Sequence, residues 1–259
     1  MIWFLALQLA VGPAQHYENA KQDFAERKFS EAVDEVNIAL HENPNMVPAL
    51  ILKARLALFA HRADVAKSCL ITAITVDPTS EEAQFFLGLF YYNQNDFKLA
   101  ISPLLAAQKL SPESPMPVFY LAMAHEALGE TAQALELYQQ AEALSTEKSS
   151  QRALFFLAYG RFLLALGRTQ DGIEKVRQSI QDDPRSREAH FELAMELDQE
   201  EDFKGAALEG ELALTLPALG TTDAQIHFLL SRLYRKLKQP DLAKAHFEKF
   251  KAASQPASK

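Results

Sequence analysis

The side chains of this chain that could do chemistry are seven histidines, a single cysteine and a few acidic pairs. The histidines stand at 16, 41, 61, 125, 190, 227 and 246. A zinc site needs His and Cys ligands at short, fixed spacings, but no two of these histidines are four residues apart. No H-E-x-x-H motif or Cys–His cluster occurs either. Cys69 has no second cysteine with which to close a disulfide. It sits among Ala66, Leu70 and Ala73, which reads as a small buried hydrophobe rather than a reactive thiol. Glu81-Glu82, Asp182-Asp183 and Glu200-Glu201-Asp202 are acidic pairs that could share a proton. They fall at helix starts or exposed turns, where solvent and the helix dipole account for them. The nine glycines are isolated and form no phosphate loop, and no G-x-S-x-G elbow is present. The chemistry-bearing residues therefore predict no catalytic site, no metal and no cofactor.

Charge narrows the partners. The chain carries 26 basic and 34 acidic residues, a net of −8, which argues against nucleic acid because phosphate binding needs a basic surface. The distribution is uneven. Residues 232–259 hold eight Lys or Arg against Asp241 and Glu248, a net of +6, which leaves −14 on residues 1–231. Lys244, Lys249 and Lys251 alternate with Leu242, Ala245, Phe247 and Phe250 in an amphipathic pattern. That pattern reads either as a solvated capping helix or as a basic docking patch for an acidic partner or membrane surface.

Met1 to Val11 contain one polar side chain, Gln8. The run is shorter than the roughly 20 residues a membrane-spanning helix requires. Two readings stand. One is a secretory leader over residues 1–14, with Gly12-Pro13-Ala14 as the small-residue cleavage point, which places the chain in an exported compartment, periplasmic or secreted. The other is an apolar N-terminal cap, or a wrongly assigned start, on a cytoplasmic protein, since the run has no Lys or Arg ahead of it.

The elements that must position everything else announce themselves by period. Ala32, Ala66, Ala100 and Ala134 are 34 residues apart, and Pro44, Pro78 and Pro112 keep the same step. Two further columns extend the register. One reads Ala20, Ala54, Gly88, Ala122, Gly160, Ala194 and Ser231, and the other Ala39, Ala73, Ala107, Ala141, Ser179, Ala213 and Phe250. All columns jump together near Ser145–Arg152 and Pro217–Asp223, which marks those stretches as loop insertions. A fixed period of this size means stacked supersecondary units. Small residues mark where paired helices cross closely, and the large apolar residues around them fill the core. Gly129, Gly167 and Asn95 predict the turns inside pairs, with Asp96 as an N-cap. Pro103 predicts a kink within residues 97–110.

The columns resemble the tetratricopeptide repeat, whose motif runs W-x2-L-G-x2-Y, then A, F, A and P over 34 residues. Residues 81–114 carry it best, with Leu87, Gly88, Tyr91, Phe97, Ala100, Ala107 and Pro112. The Trp column reads His16, Leu50, Gln84, Val118, Phe156, His190 and His227, and never Trp. The resemblance implies an all-α, right-handed superhelical solenoid of about seven stacked antiparallel helix pairs over residues 15–252. The units start near 13, 47, 81, 115, 153, 187 and 224, and a disordered tail follows at 253–259.

It also implies a concave groove lined by each first helix. Transferred onto this sequence, that groove has Phe85, Leu89, Tyr92, Phe119 and Met123 as an aromatic and Met-lined floor, with Arg55 and Arg161 at its flanks. An apolar floor with rigid aromatics and adaptable Met is the composition of a peptide anchor. The expected function is therefore a non-catalytic scaffold, an adaptor or assembly factor holding an extended or helical segment of a partner protein. The alternative is a structural subunit of an envelope or secretion complex that uses its convex face or basic C-terminal helix. A small-ligand sensor or enzyme is the remote third. Oligomeric state is left open.

Overall fold

A computed structural model describes residues 12–218 and 220–254. Among the described residues there are fourteen α-helices and no strand. The chain divides into two compact units, one ending at Leu144 and the other starting at Ser145. The first holds α1 (Pro13–Ala25), α2 (Phe29–Glu42), α3 (Val47–Phe59), α4 (Ala63–Val76), α5 (Glu81–Asn93), α6 (Phe97–Leu110), α7 (Pro115–Ala127) and α8 (Thr131–Leu144). The second holds α9 (Ser150–Ala165), α10 (Thr169–Asp182), α11 (Arg187–Gln199), α12 (Phe203–Thr215), α13 (Asp223–Lys236) and α14 (Pro240–Ser254). Successive helices pack as antiparallel pairs, four in the first unit and three in the second.

The small-residue columns are where the pairs close. Ala20, Ala32 and Ala39 are fully buried, as are their counterparts Ala66, Ala73, Ala100, Ala107, Ala122, Ala134 and Ala141. Gly88 and Gly172 show why nothing larger fits. A Cβ on Gly88 would lie 2.5 Å from Leu104 Cγ, and one on Gly172 would lie 3.0 Å from the Gly160 carbonyl oxygen. Around these crossings the large apolar side chains fill in, such as Val36, Leu52 and Leu56 in the first unit. In the second, Leu193, Ile226, Leu230 and Leu233 do the same.

Each turn inside a pair uses one left-handed residue at the same register: Arg27, His61, Asn95, Gly129, Gly167, Glu201 and Lys238. The amide after it generally reaches back to a carbonyl five residues earlier, as Asp96 does to Tyr91 and Gln239 to Tyr234. This is the Schellman closure, which satisfies helix-end carbonyls that would otherwise be orphaned. Sequence signals exist for Gly129, Gly167 and Asn95 but not for the other four, which adopt the conformation because the pair geometry demands it.

Two expectations change in detail, for Asp96 and for the end of the chain. Asp96 occupies the N-cap position of α6 but accepts no side-chain capping bond. Side-chain caps occur instead at Ser80, Ser149, Ser186 and Asp202, with a full capping box at Thr222 and Gln225. Pro103 is buried within α6, and the helix continues past it to Leu110. At the end of the chain, α14 runs through Ser254, so residues 253 and 254 are helical rather than tail. Most of the apolar run read as a leader or cap, residues 1–11, lies outside the described residues. Pro13 and Ala14 form the first turn of α1.

Candidate functional site

Each unit presents the side chains of its first helices along one face. In the first unit that face belongs to α1, α3, α5 and α7. Tyr120 organises its aromatic part, with ring centroids 5.7 Å from Phe85, 5.5 Å from Tyr92 and 5.2 Å from Phe119. Phe85, Leu89, Tyr92 and Met123 are partly exposed. Phe119 is not available as an anchor: only 7% of it is exposed, and it packs inward against Tyr120 and Tyr138. Arg55 is engaged as well. Its guanidinium lies 4.7 Å from the Phe24 ring centroid and 5.1 Å from that of Phe86, a cation–π clamp that holds it in place. Tyr120 escaped the sequence reading because it stands one position from the groove-facing columns.

The polar edge of this face is Glu126, which accepts a 2.6 Å hydrogen bond from Tyr138 Oη. Burial pushes the Glu126 carboxyl above its usual value, and the Tyr138 bond opposes that push. Tyr138 is fully enclosed and held far from ionisation by burial and by the same carboxylate. A second aromatic patch lies at the pair turns of α1 and α3, where Phe29 and the largely exposed Phe59 stack at 5.2 Å.

In the second unit, α11 and α13 enclose a cleft of about 300 Å³. Phe191, Met195, Phe228 and Leu229 supply its apolar surface, and Asp198, Gln199, Gln225 and Arg232 its polar surface. Asp198 is nearly buried yet paired twice, with Arg232 at 3.2 Å and Lys236 at 2.5 Å. Paired in this way, the carboxylate fixes both cations at the cleft edge, where they can meet carbonyls or carboxylates of a bound segment. Arg161, placed by sequence on the flank of the first-helix face, belongs to this unit and bonds Glu192 at 2.6 Å.

A feature the sequence did not disclose links the two helices within pairs. At the register where the repeat motif has Trp, His16 meets Glu35 at 2.6 Å and His190 meets Glu209 at 2.6 Å. At the same register His227 meets His246, with 3.0 Å between their Nδ1 atoms. Each pair spans 19 residues, so the signal was present as a second polar column that only the pairing makes meaningful. No group of three or more His, Cys, Asp or Glu among the described residues is placed to hold a metal ion. Cys69 is buried, and burial raises its thiol above the usual value.

At the C-terminal end, Lys244, Lys249 and Lys251 are all exposed on α14. Lys251 lies 4.7 Å from the Phe247 ring centroid and bonds Glu248, whereas Lys249 acts on His227 and His246. Among the described residues, no helix is long and apolar enough to cross a membrane.

Comparison with known proteins bears on the scaffold. A family model described as "Tetratricopeptide repeat" matches residues 51–115, 119–174 and 157–221, and a second of the same description matches 224–254. Solved structures resemble the chain across most of its length. A chain of the APC/C hetero-tetramer Cut9–Hcn1 aligns with a TM-score of 0.76 and 17% identity over 87% of this chain, which spans 43% of that chain. A tetratricopeptide repeat protein from Parabacteroides merdae aligns with a TM-score of 0.64 and 12% identity, covering 95% of this chain and 94% of that one. The pilF protein of Pseudomonas aeruginosa aligns at 0.54 and 16% identity, covering 95% and 93%. At such identities the likeness is one of fold. No curated protein matches the chain.

Proposed function

Since the chain belongs to the tetratricopeptide repeat family, we propose that it is a non-catalytic scaffold holding a segment of a partner protein against its first-helix faces. Proteins of this family are generally protein-interaction scaffolds, and one structural neighbour is itself part of a hetero-tetramer. The observation that carries the reading is the cleft between α11 and α13, where Phe191, Met195 and Phe228 lie beside the Asp198–Arg232–Lys236 cluster. Apolar anchors flanked by fixed charges are suited to a peptide that buries one or two large side chains and presents polar backbone between them. Phe85, Leu89 and Met123 offer a second, more aromatic stretch in the first unit.

The test is capture of partners by the full chain, compared with two variants. One changes Phe191, Met195 and Phe228 to Ala, and the other changes Phe85, Leu89 and Met123 to Ala. Partners lost from either variant, with helical content intact, support the reading. Identical partner sets from all three proteins refute it. The compartment is proposed as exported, from the apolar run Met1–Val11. Intact mass of the protein from its native host distinguishes a chain beginning at Gln15 from one that keeps Met1.

A further inference from the structure

The seventh pair ends with a face that its counterparts do not leave open. At one register the second helices carry Val36, Leu70, Leu104 and Val176, all fully buried, and Gly210, against which Leu230 of the next pair packs. The seventh pair has Phe247 there, and it is 39% exposed. Around it Ser231, Arg235, Pro240, Ala243 and Lys244 complete a cleft of about 350 Å³. Where a next pair exists, as at α12, the occupant of the corresponding surface is a helix: α13 lays Ile226 and Leu230 over Ala206 and Gly210.

We propose that this end face is a docking site for an amphipathic helix of another protein, with acidic residues flanking its apolar stripe, which takes the place of an eighth first helix. Charge selects the occupant. Arg235 and Lys244 line the cleft with no acidic residue among its described lining, and residues 232–259 carry the net +6 noted above. A helix with Glu or Asp beside its apolar stripe meets both cations, and one with Lys there is repelled.

The chain's own opposite end does not fit. On α1, Gln15, Glu18 and Gln22 are exposed at the positions where α3 buries Ala49, Leu52 and Leu56. The outward surface of α1 is thus a polar cap with no stripe to bury, so α1 of a second copy stacking end to end is a poor occupant. Residues 255–259 themselves supply no large apolar side chain. No described residue lines both this cleft and the one between α11 and α13, so each reading has its own test.

The experiment uses the full chain and two fluorescein-labelled helical peptides with one Leu stripe, flanked by Glu in one and Lys in the other. Fluorescence anisotropy should show binding of the Glu peptide only. Phe247→Gln should weaken that binding about tenfold or more, as should the double change Arg235→Glu and Lys244→Glu. The Phe191 and Met195 to Ala variant, confined to α11, should leave it unchanged. Phe247 is partly exposed and the two cations are at the surface, so these variants keep the fold. Absence of binding overturns the proposal, as does equal binding of both peptides or binding indifferent to the changes. So does a dimer in sedimentation that Phe247→Gln dissolves, which would give the face to a second copy. Sedimentation with phosphatidylserine vesicles that needs Lys244 and Phe247, without peptide binding, would give it to a membrane and overturn it equally.

Discussion

His227 and His246 face each other across the seventh helix pair, Nδ1 to Nδ1 at 3.0 Å, at the register where His16 and His190 each face a glutamate. The exchange of carboxylate for imidazole reverses the electrostatics. In the sixth pair, burial of His190 opposes protonation. The Glu209 bond, the Pro184 carbonyl and nearby acids outweigh it and raise its value above the usual 6.5. In the seventh pair, burial together with mutual repulsion lowers His227. Burial and Lys249 lower His246, even though Glu211 pulls the other way. Neutral rings satisfy the network when His246 Nε2 donates to Glu211 and His227 donates to His246. A second proton leaves two donors pointing at each other.

The pH response of the two pairs should therefore have opposite sign. Groups with lowered folded values stabilise above the unfolded value of 6.5 and lose that contribution as pH falls through the folded values. His190, raised, contributes below 6.5 and loses its contribution as pH rises through its folded value. Hydrogen exchange at pH 7.5 and pH 5 should show α13 and α14 losing protection on acidification relative to α11 and α12. His227→Gln should reduce the difference. Equal change in both pairs would contradict this account.

Lys238 and Glu201 hold left-handed backbone, at φ of 57° and 63°, in the position that Gly129 and Gly167 fill elsewhere. A Cβ in that region costs roughly 1–2 kcal/mol, partly offset by the greater freedom of glycine in the unfolded chain. Lys238→Gly and Glu201→Gly should each stabilise the second unit by up to about 1 kcal/mol, read as a higher urea midpoint. Gly167→Ala should do the reverse by a similar amount.

These turns also show what a sequence discloses and what it conceals. The alanine columns are legible because a close helix crossing admits few residue types, so repetition leaves a visible trace. The left-handed turns at Arg27, His61, Glu201 and Lys238 are not, because tertiary closure forces a conformation those residues do not prefer. The same holds for the site. Position in the repeat offers Phe85, Leu89, Tyr92 and Met123 for the face, and all four are partly exposed. It cannot tell that Phe119 turns inward, that Phe24 and Phe86 hold Arg55, or that Tyr120 occupies the centre. Those outcomes depend on which neighbouring ring claims the space. The His–Glu and His–His pairs needed two columns read jointly, and neither is distinctive alone.

Arg187 ties the loop after α12 to α11. Only 3% of it is exposed. Its Nη1 donates to the Leu216 carbonyl at 3.1 Å and its Nη2 pairs with Asp223. Its Nε is buried without a hydrogen-bond partner among the described residues. Arg187→Met keeps the packing but orphans the Leu216 carbonyl, and Asp223 is exposed enough to be rehydrated. The expected cost is about 1–3 kcal/mol. Limited proteolysis should then cut faster within residues 216–222, with the first unit unaffected. Unchanged cleavage there would mean that the loop is held by other contacts.

Gly88 and Leu104 provide the sharpest test that the small-residue columns set helix spacing. A Cβ on Gly88 would approach Leu104 Cγ to 2.5 Å and the Leu104 backbone nitrogen to 3.3 Å. Leu104 is fully buried, so its side chain has little room to retreat. Gly88→Ala should destabilise the protein by about 1–3 kcal/mol through overpacking, despite the better helix propensity of alanine. Leu104→Ala alone should cost about 2–5 kcal/mol through the cavity it leaves. In the double variant the new methyl enters that cavity, so the combined loss should fall short of the sum by about 1 kcal/mol or more. Additive losses in urea unfolding would show that the glycine is tolerated for its backbone alone, and that the crossing distance is set by other contacts between α5 and α6.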